Sequence, residues 1–228
     1  MSPRRFAAEW RRFYDHPSVL RRHLEYLGGK KLESSPTVFL TSPSPQPERT
    51  EYFRPVTDLE AMLHDDFEVA RSLWDRDSLI AHLDIEHVHF DAPWEPLLYP
   101  KRSLFVQRDV VAAIEALLAE FGITALHLLT GRGHHFVWKV NRKSAAFAAL
   151  VRLAHLGEGL RTAYSAPQPP RGEAVGEAAG AAWDGLGGVM EWVGHRILAA
   201  SARTPVPVQI TAVVVGPEGG FSSEETSR

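Results

Sequence analysis

The sequence predicts an α/β or α+β domain with a mixed sheet, and three stretches carry that prediction. Leu79 to Phe90, LIAHLDIEHVHF, alternates apolar and polar residues with the period of a half-buried strand. Val106 to Phe121 repeats apolar residues at helical spacing and stops at Gly122. After it, ITALHLL, TGRG and HHFVWKV are two apolar runs around a glycine turn, the pattern of a hairpin. A strand, a helix and a hairpin in that order describe helices laid against a sheet.

The remaining elements follow in chain order. Phe6, Trp10, Phe13 and Tyr14 recur at three- and four-residue intervals with Arg4, Arg5, Arg11 and Arg12 between them, which predicts a basic helix that ends at Gly28-Gly29. Thr37 to Thr41 reads as a short strand, and the Pro- and Ser-rich stretch 42–57 as a loop. An acidic helix is expected over roughly Asp58 to Trp74, and another helix from Ser144 to about Tyr164. SAPQPPRGEAVGEAAGAAWDGLGG reads as a loop or mobile linker, followed by a helix from Val189 to Ala202 and a strand from Val206 to Val215. The expected parts are therefore 1–57, 58–164, a linker over 165–188, and 189–228.

The 228 residues are enough for one large domain, and 44% hydrophobic with 23% charged residues is a globular balance. The absence of cysteine excludes disulfides and cysteine-ligated zinc. No apolar run approaches the roughly 18 residues of a membrane span, and the Arg-rich start lacks the apolar stretch of a signal peptide, so the expected location is the cytoplasm. A net charge of −3 excludes a uniformly basic nucleic-acid coat. The charge is unevenly spread: residues 1–31 carry eight Arg or Lys against three acids, and residues 51–95 carry twelve acids against three Arg. The basic stripe is suited to phosphates, and equally to solvent.

Chemistry concentrates in two places. Residues two apart in a strand share a face, so Asp84 and Glu86 present adjacent carboxylates while Ile85 faces the other way. Two such acids repel unless a cation lies between them, and hard oxygen ligands suit Mg²⁺ or Mn²⁺; the alternative is an exposed strand face with scattered acids. The second place is Thr130-Gly131-Arg132-Gly133-His134-His135. Its glycines let the backbone bend and approach a ligand, and Arg132 and His135 offer donors to phosphate oxygens; the alternative is a plain hairpin turn. His82, His87, His89, His127, His134 and His135 invite a zinc reading, but no HExxH spacing occurs and a regular strand turns His87 and His89 away from Asp84 and Glu86. Walker A, GxSxG and Rossmann glycine motifs are absent from the sequence.

In combination, SLWDRDSLIAHLDIEHVHFD, an intervening helix and HLLTGRGHHFVWKV resemble the catalytic core of the archaeo-eukaryotic primase and primase-polymerase superfamily. Its first motif, two acids separated by one residue on a strand, corresponds to Asp84 and Glu86. Its second, a Ser-Gly-Arg-Gly-x-His turn that binds the incoming nucleotide, matches Thr130, Gly131, Arg132, Gly133 and His135, with Thr130 in place of serine. The resemblance covers roughly residues 70–140. It implies an α+β fold, an RRM-like mixed-sheet catalytic core packed with an N-terminal α/β unit. It further implies nucleotidyl transfer from NTP or dNTP on a DNA template with two divalent ions, Mg²⁺ or Mn²⁺, held by Asp84 and Glu86. Arg4, Arg5, Arg11 and Arg12 would then touch the template backbone, and a helicase or another replication or repair protein would be a partner.

The sequence departs from that pattern in lacking a third acid. Glu218, Glu224 and Glu225 lie in a glycine-rich tail, and the chain is expected to end before the third motif. Two rival readings stand beside the enzyme. A non-catalytic nucleic-acid or nucleotide-binding module of the same fold accounts for the missing acid. The tail GPEGGFSSEE, residues 216–225, resembles the cofactor loop of knotted ribosomal-RNA methyltransferases that bind S-adenosylmethionine, although that family's other motifs are absent.

Overall fold

A computed structural model describes residues 11–13, 15–27, 38–41, 51–54, 58, 61, 68–71, 76–130, 133–168, 173–201 and 210–214. The fold is α+β, and the chain divides into two compact units that interleave along the sequence. The first comprises 1–79, 141–143 and 157–180, the second 80–140, 144–156 and 181–228, lines of division that differ from the four consecutive parts expected.

In the first unit, helix α1 (Pro17–Leu27) opens on a proline, whose missing N–H costs nothing at a helix start. A three-stranded antiparallel sheet follows, with β1 (Val38–Thr41) between β2 (Glu51–Arg54) and β3 (Glu68–Arg71). Phe39 pairs with Phe53 on one side and Ala70 on the other. Two expectations are corrected by this sheet. β2 lies inside the stretch read as loop, where Pro47 and Pro55 bracket the strand formers Tyr52 and Phe53. β3 lies inside the stretch read as an acidic helix, where backbone pairing with β1 overrides local propensity.

The second unit is built around a four-stranded sheet. β4 (Ser78–His87) begins it, followed by the short helices α2 (Glu95–Leu98) and α3 (Pro100–Val106) and by α4 (Arg108–Glu120). The hairpin of β5 (Leu126–Leu129) and β6 (Gly133–Asn141) comes next. Helix α5 (Ala145–Leu153) is capped by Ser144, whose hydroxyl oxygen accepts from the Phe147 N–H at 3.2 Å. The chain then returns to the first unit for α6 (Glu158–Ser165), the minimal pair β7 (Pro167–Gln168) and β8 (Glu173–Ala174) and the first residues of α7 (Glu177–Ser201), and the rest of α7 leads back in the second unit to β9 (Ile210–Val214). The strand order is β5-β6-β4-β9, so the first and third strands of this unit lie side by side in the middle and the fourth borders the first.

The buried stripes of the helices have the spacing that covers one face of a sheet. Val110, Ile114, Leu117 and Leu118 form that of α4, and Ala182, Leu186, Met190, Val193 and Ile197 that of α7. The helices also meet one another: Phe121, just past α4, makes an edge-on contact with Trp192 at 5.7 Å, and Arg196 reaches Glu120 at 3.0 Å.

Three further expectations change. The linker expected over 165–188 is helical from Glu177 onward, because its alanines are strong helix formers and Gly185 lets α7 pass against the backbone of Leu150, where a Cβ would overlap the carbonyl. The single helix expected from Ser144 to Tyr164 breaks at residues 154–157, where the His155 N–H is instead taken up by Asp184 Oδ2 at 2.7 Å. The strand expected to reach Phe90 ends at His87, and the chain turns there with the Ala92 N–H donating to His89 Nδ1 at 3.1 Å. Among the described residues no helix is long and apolar enough to cross a membrane.

Candidate functional site

The site begins with the two faces of β4. Ala81, Leu83 and Ile85 are at most 1% exposed and lie on one face with the buried His87; His82, Asp84 and Glu86 alternate with them on the other, half-buried face. The period-two pattern in LIAHLDIEH therefore delivers both carboxylates to one surface, with His82 in line with them.

The hairpin sorts its own residues in the same way. Leu128 stands opposite His135 and Leu126 opposite Val137, while His127 stands opposite Phe136 and Leu129 opposite His134. Paired residues share a face, so the neighbours His134 and His135 point to opposite sides of the sheet. His135 is on the side of the acids: its Nε2 lies 3.1 Å from Asp84 Oδ1, at ion-pair distance but without hydrogen-bond alignment. The His82 ring lies 4.7 Å from the His135 ring, tilted by 54°. Burial pushes the His82 imidazole below its ordinary value, the charge of His135 adds to this, and Asp84 opposes it.

Gly133 explains how the two motifs come this close. A Cβ at this position would overlap the carbonyl oxygen of Ile85 and stand 3.1 Å from the Glu86 Cα, so only glycine lets β6 run against the acidic strand here. The turn closes by the Thr130 N–H donating to the Gly133 carbonyl at 3.0 Å, and the Thr130 hydroxyl oxygen is buried without a hydrogen-bond partner. Gly131 and Arg132 lie outside the described residues.

On the buried face, His134 Nδ1 and His127 Nε2 are 2.8 Å apart, the His127 ring stacks on Phe136 at 4.2 Å, and Glu115 of α4 approaches His127 at 3.9 Å. Burial again lowers the His134 imidazole, with His127 adding and Glu115 opposing. His87 is likewise lowered by burial, with Glu95 opposing. Glu95 is held by Arg102 at 2.6 Å and lies 3.5 Å from His89, so it is engaged by its neighbours rather than left as an open ligand.

Of the residues singled out from the sequence, Asp84, Glu86, Gly133 and His135 come together, and Thr130 closes the turn beside them. Arg11 and Arg12 are exposed in the first unit, and Arg4 and Arg5 lie outside the described residues. His82 was missed as a member of this face, although the alternation that pairs Asp84 with Glu86 also includes it. On the neighbouring strand β9, Asp84 stands opposite Val213 and Glu86 opposite Thr211, so neither register position carries a third acid.

A hard divalent cation fits this donor set in part. Two carboxylates share a face, and Asp84 Oδ1 is buried without a hydrogen bond, which a bound cation would satisfy. Among the described residues, no group of three or more His, Asp or Glu side chains is arranged to hold a metal by itself. A cation here would therefore depend on substrate oxygens and water for its remaining ligands. Comparison with protein-family models, curated proteins and solved structures finds no match to this chain.

Proposed function

We propose that the chain is a template-dependent nucleotidyltransferase of the primase or primase-polymerase kind, built on an RRM-like sheet. The carrying observation is the meeting of the two motifs: Asp84 of the acidic strand lies 3.1 Å from His135 of the glycine turn. The β5-β6-β4-β9 order supports the same reading, since a β-α-β-β-α-β chain with its first and third strands central is the split β-α-β arrangement.

In this reading Asp84 and Glu86 would hold Mg²⁺ or Mn²⁺, with the phosphates of an NTP or dNTP supplying further oxygen ligands. A divalent ion held there would supply Lewis acidity, favouring ionisation of the 3′-hydroxyl and offsetting charge on the departing pyrophosphate. The residues of the chain bind and orient. The Thr130 to Gly133 segment, whose sequence includes Arg132, receives the triphosphate beside His135, whose Nε2 lies 3.1 Å from Asp84 Oδ1. His135 is then set to hold the phosphate while the 3′-oxygen bonds to the α-phosphorus and the bond to the β-phosphate breaks. The basic segment with Arg4, Arg5, Arg11 and Arg12 is the proposed contact to the DNA template, and a helicase or another replication or repair protein in the cytoplasm is the proposed partner.

A second reading, a non-catalytic nucleotide- or nucleic-acid-binding module, is favoured by one observation, the pairing of Asp84 with Val213 and of Glu86 with Thr211 where a third acid would complete the set. Incorporation of labelled dNTP or NTP on primed and unprimed templates with Mn²⁺ separates the two. Template-dependent incorporation is the expected result. Template binding without incorporation would leave the module, and tight binding of S-adenosylmethionine would move the assignment to the methyltransferase tail.

A further inference from the structure

His82 has no role in the nucleotidyl-transfer reading, yet it occupies the same face as Asp84 and Glu86. Its ring lies 4.7 Å from that of His135, and His135 in turn lies 3.1 Å from Asp84, so His82, His135 and Asp84 form one continuous row across two strands. Its Nε2 is sealed from solvent and has no hydrogen-bond partner. A buried imidazole nitrogen without a partner bears a desolvation cost that a bound group relieves.

The surroundings narrow what that group is. A metal would need the His82 lone pair to converge with the carboxylates, and among the described residues no three-ligand set does so. An anion that arrives with its own cation meets no such obstacle. An imidazole N–H donor then suits a phosphate oxygen. The geometry points to His82 as a substrate-binding residue whose Nε2–H donates to a phosphate oxygen of the bound nucleotide, beside His135. This rests on the nucleotidyl-transfer reading of the same face and adds to it the residue that grips the polyphosphate.

The test separates the donor from the ring. His82→Phe keeps an aromatic ring against His135 and deletes the donor, and His82→Gln restores a donor without the ring. The KM for dNTP is expected to rise about ten-fold or more in His82→Phe, the strength of a hydrogen bond to a charged group, with a smaller change in kcat and partial recovery in His82→Gln. Affinity for inorganic tripolyphosphate with Mg²⁺, measured by calorimetry, should fall in parallel. An unchanged KM and an unchanged tripolyphosphate affinity in His82→Phe would reduce His82 to ring packing and overturn the inference. The wild-type chain supplies an arm independent of any variant's folding: tripolyphosphate with Mg²⁺ should shift the ¹⁵N imidazole resonance of His82, and an unshifted resonance overturns the inference as well. If Asp84→Asn loses incorporation while His82→Phe behaves as wild type, only the role of His82 fails. If the wild type incorporates nothing, the nucleotidyl-transfer reading fails, and the tripolyphosphate experiments still decide His82.

Discussion

His134 and His135 are consecutive residues with opposite environments. His135 turns to the half-buried face, where Asp84 and the His82 ring meet it; His134 turns to the buried face, where it is 7% exposed and partnered by His127. The same division runs along β4, with Ala81, Leu83 and Ile85 packed on one side and His82, Asp84 and Glu86 on the other. One face of the sheet is packed into the core, and the other carries the proposed ligand chemistry. Strand alternation is the device that separates them, so the separation can be tested one residue at a time.

The largest effect belongs to the position that serves both faces. Gly133→Val should cost about 3 kcal/mol or more, the upper range of overpacking, because the added carbons meet the Ile85 backbone rather than a movable side chain. Chemical denaturation would measure this, and a wild-type midpoint would mean that β6 does not run so close to β4. Ile85→Ala, on the buried face alone, should destabilise by about 3 kcal/mol. The remaining folded protein should bind tripolyphosphate with Mg²⁺ normally; a folded Ile85→Ala chain with lost affinity would break the division of labour.

Ser144→Ala removes a helix cap away from both strands' ligand face and should cost about 1 kcal/mol with ligand binding unchanged, a calibration for the larger effects. The smallest effect is electrostatic. Burial lowers His134 below the ordinary value of 6.5, so the unfolded chain takes up a proton more readily than the folded one. This contribution to stability is full above that value and is lost as the pH falls through it. The thermal midpoint should therefore drop between neutral and mildly acidic pH, and His134→Phe should flatten that slope in part, since His82 and His87 are lowered in the same direction. An unchanged slope would remove His134 from the buried face.

Much of this layout was legible in the sequence, because the chemistry lies on regular elements. The alternation of LIAHLDIEH fixes which side chains share a face whatever the strand's neighbours are, and the TGRG turn announces the hairpin. That alternation also contains His82, but its place beside His135 depends on a second strand. Contacts between strands distant in sequence leave no local mark, and this is also why Gly133 read as a turn glycine rather than as the point of approach to Ile85. The misread elements share that cause. β3 looks helical until β1 pairs with it, and the Gly- and Ala-rich stretch before Val189 looks like a linker until Gly185 fits against Leu150.

The most direct test of the central claim is the Mn²⁺-dependent incorporation rate of Asp84→Asn at equal folded concentration to the wild type. Removing one of two adjacent charges should leave the thermal midpoint unchanged or raise it, because like charges side by side repel. It should lower incorporation by about a thousand-fold, roughly 4 kcal/mol of transition-state stabilisation. A stable Asp84→Asn chain that incorporates nucleotide at the wild-type rate would contradict the assignment of this face to nucleotidyl transfer.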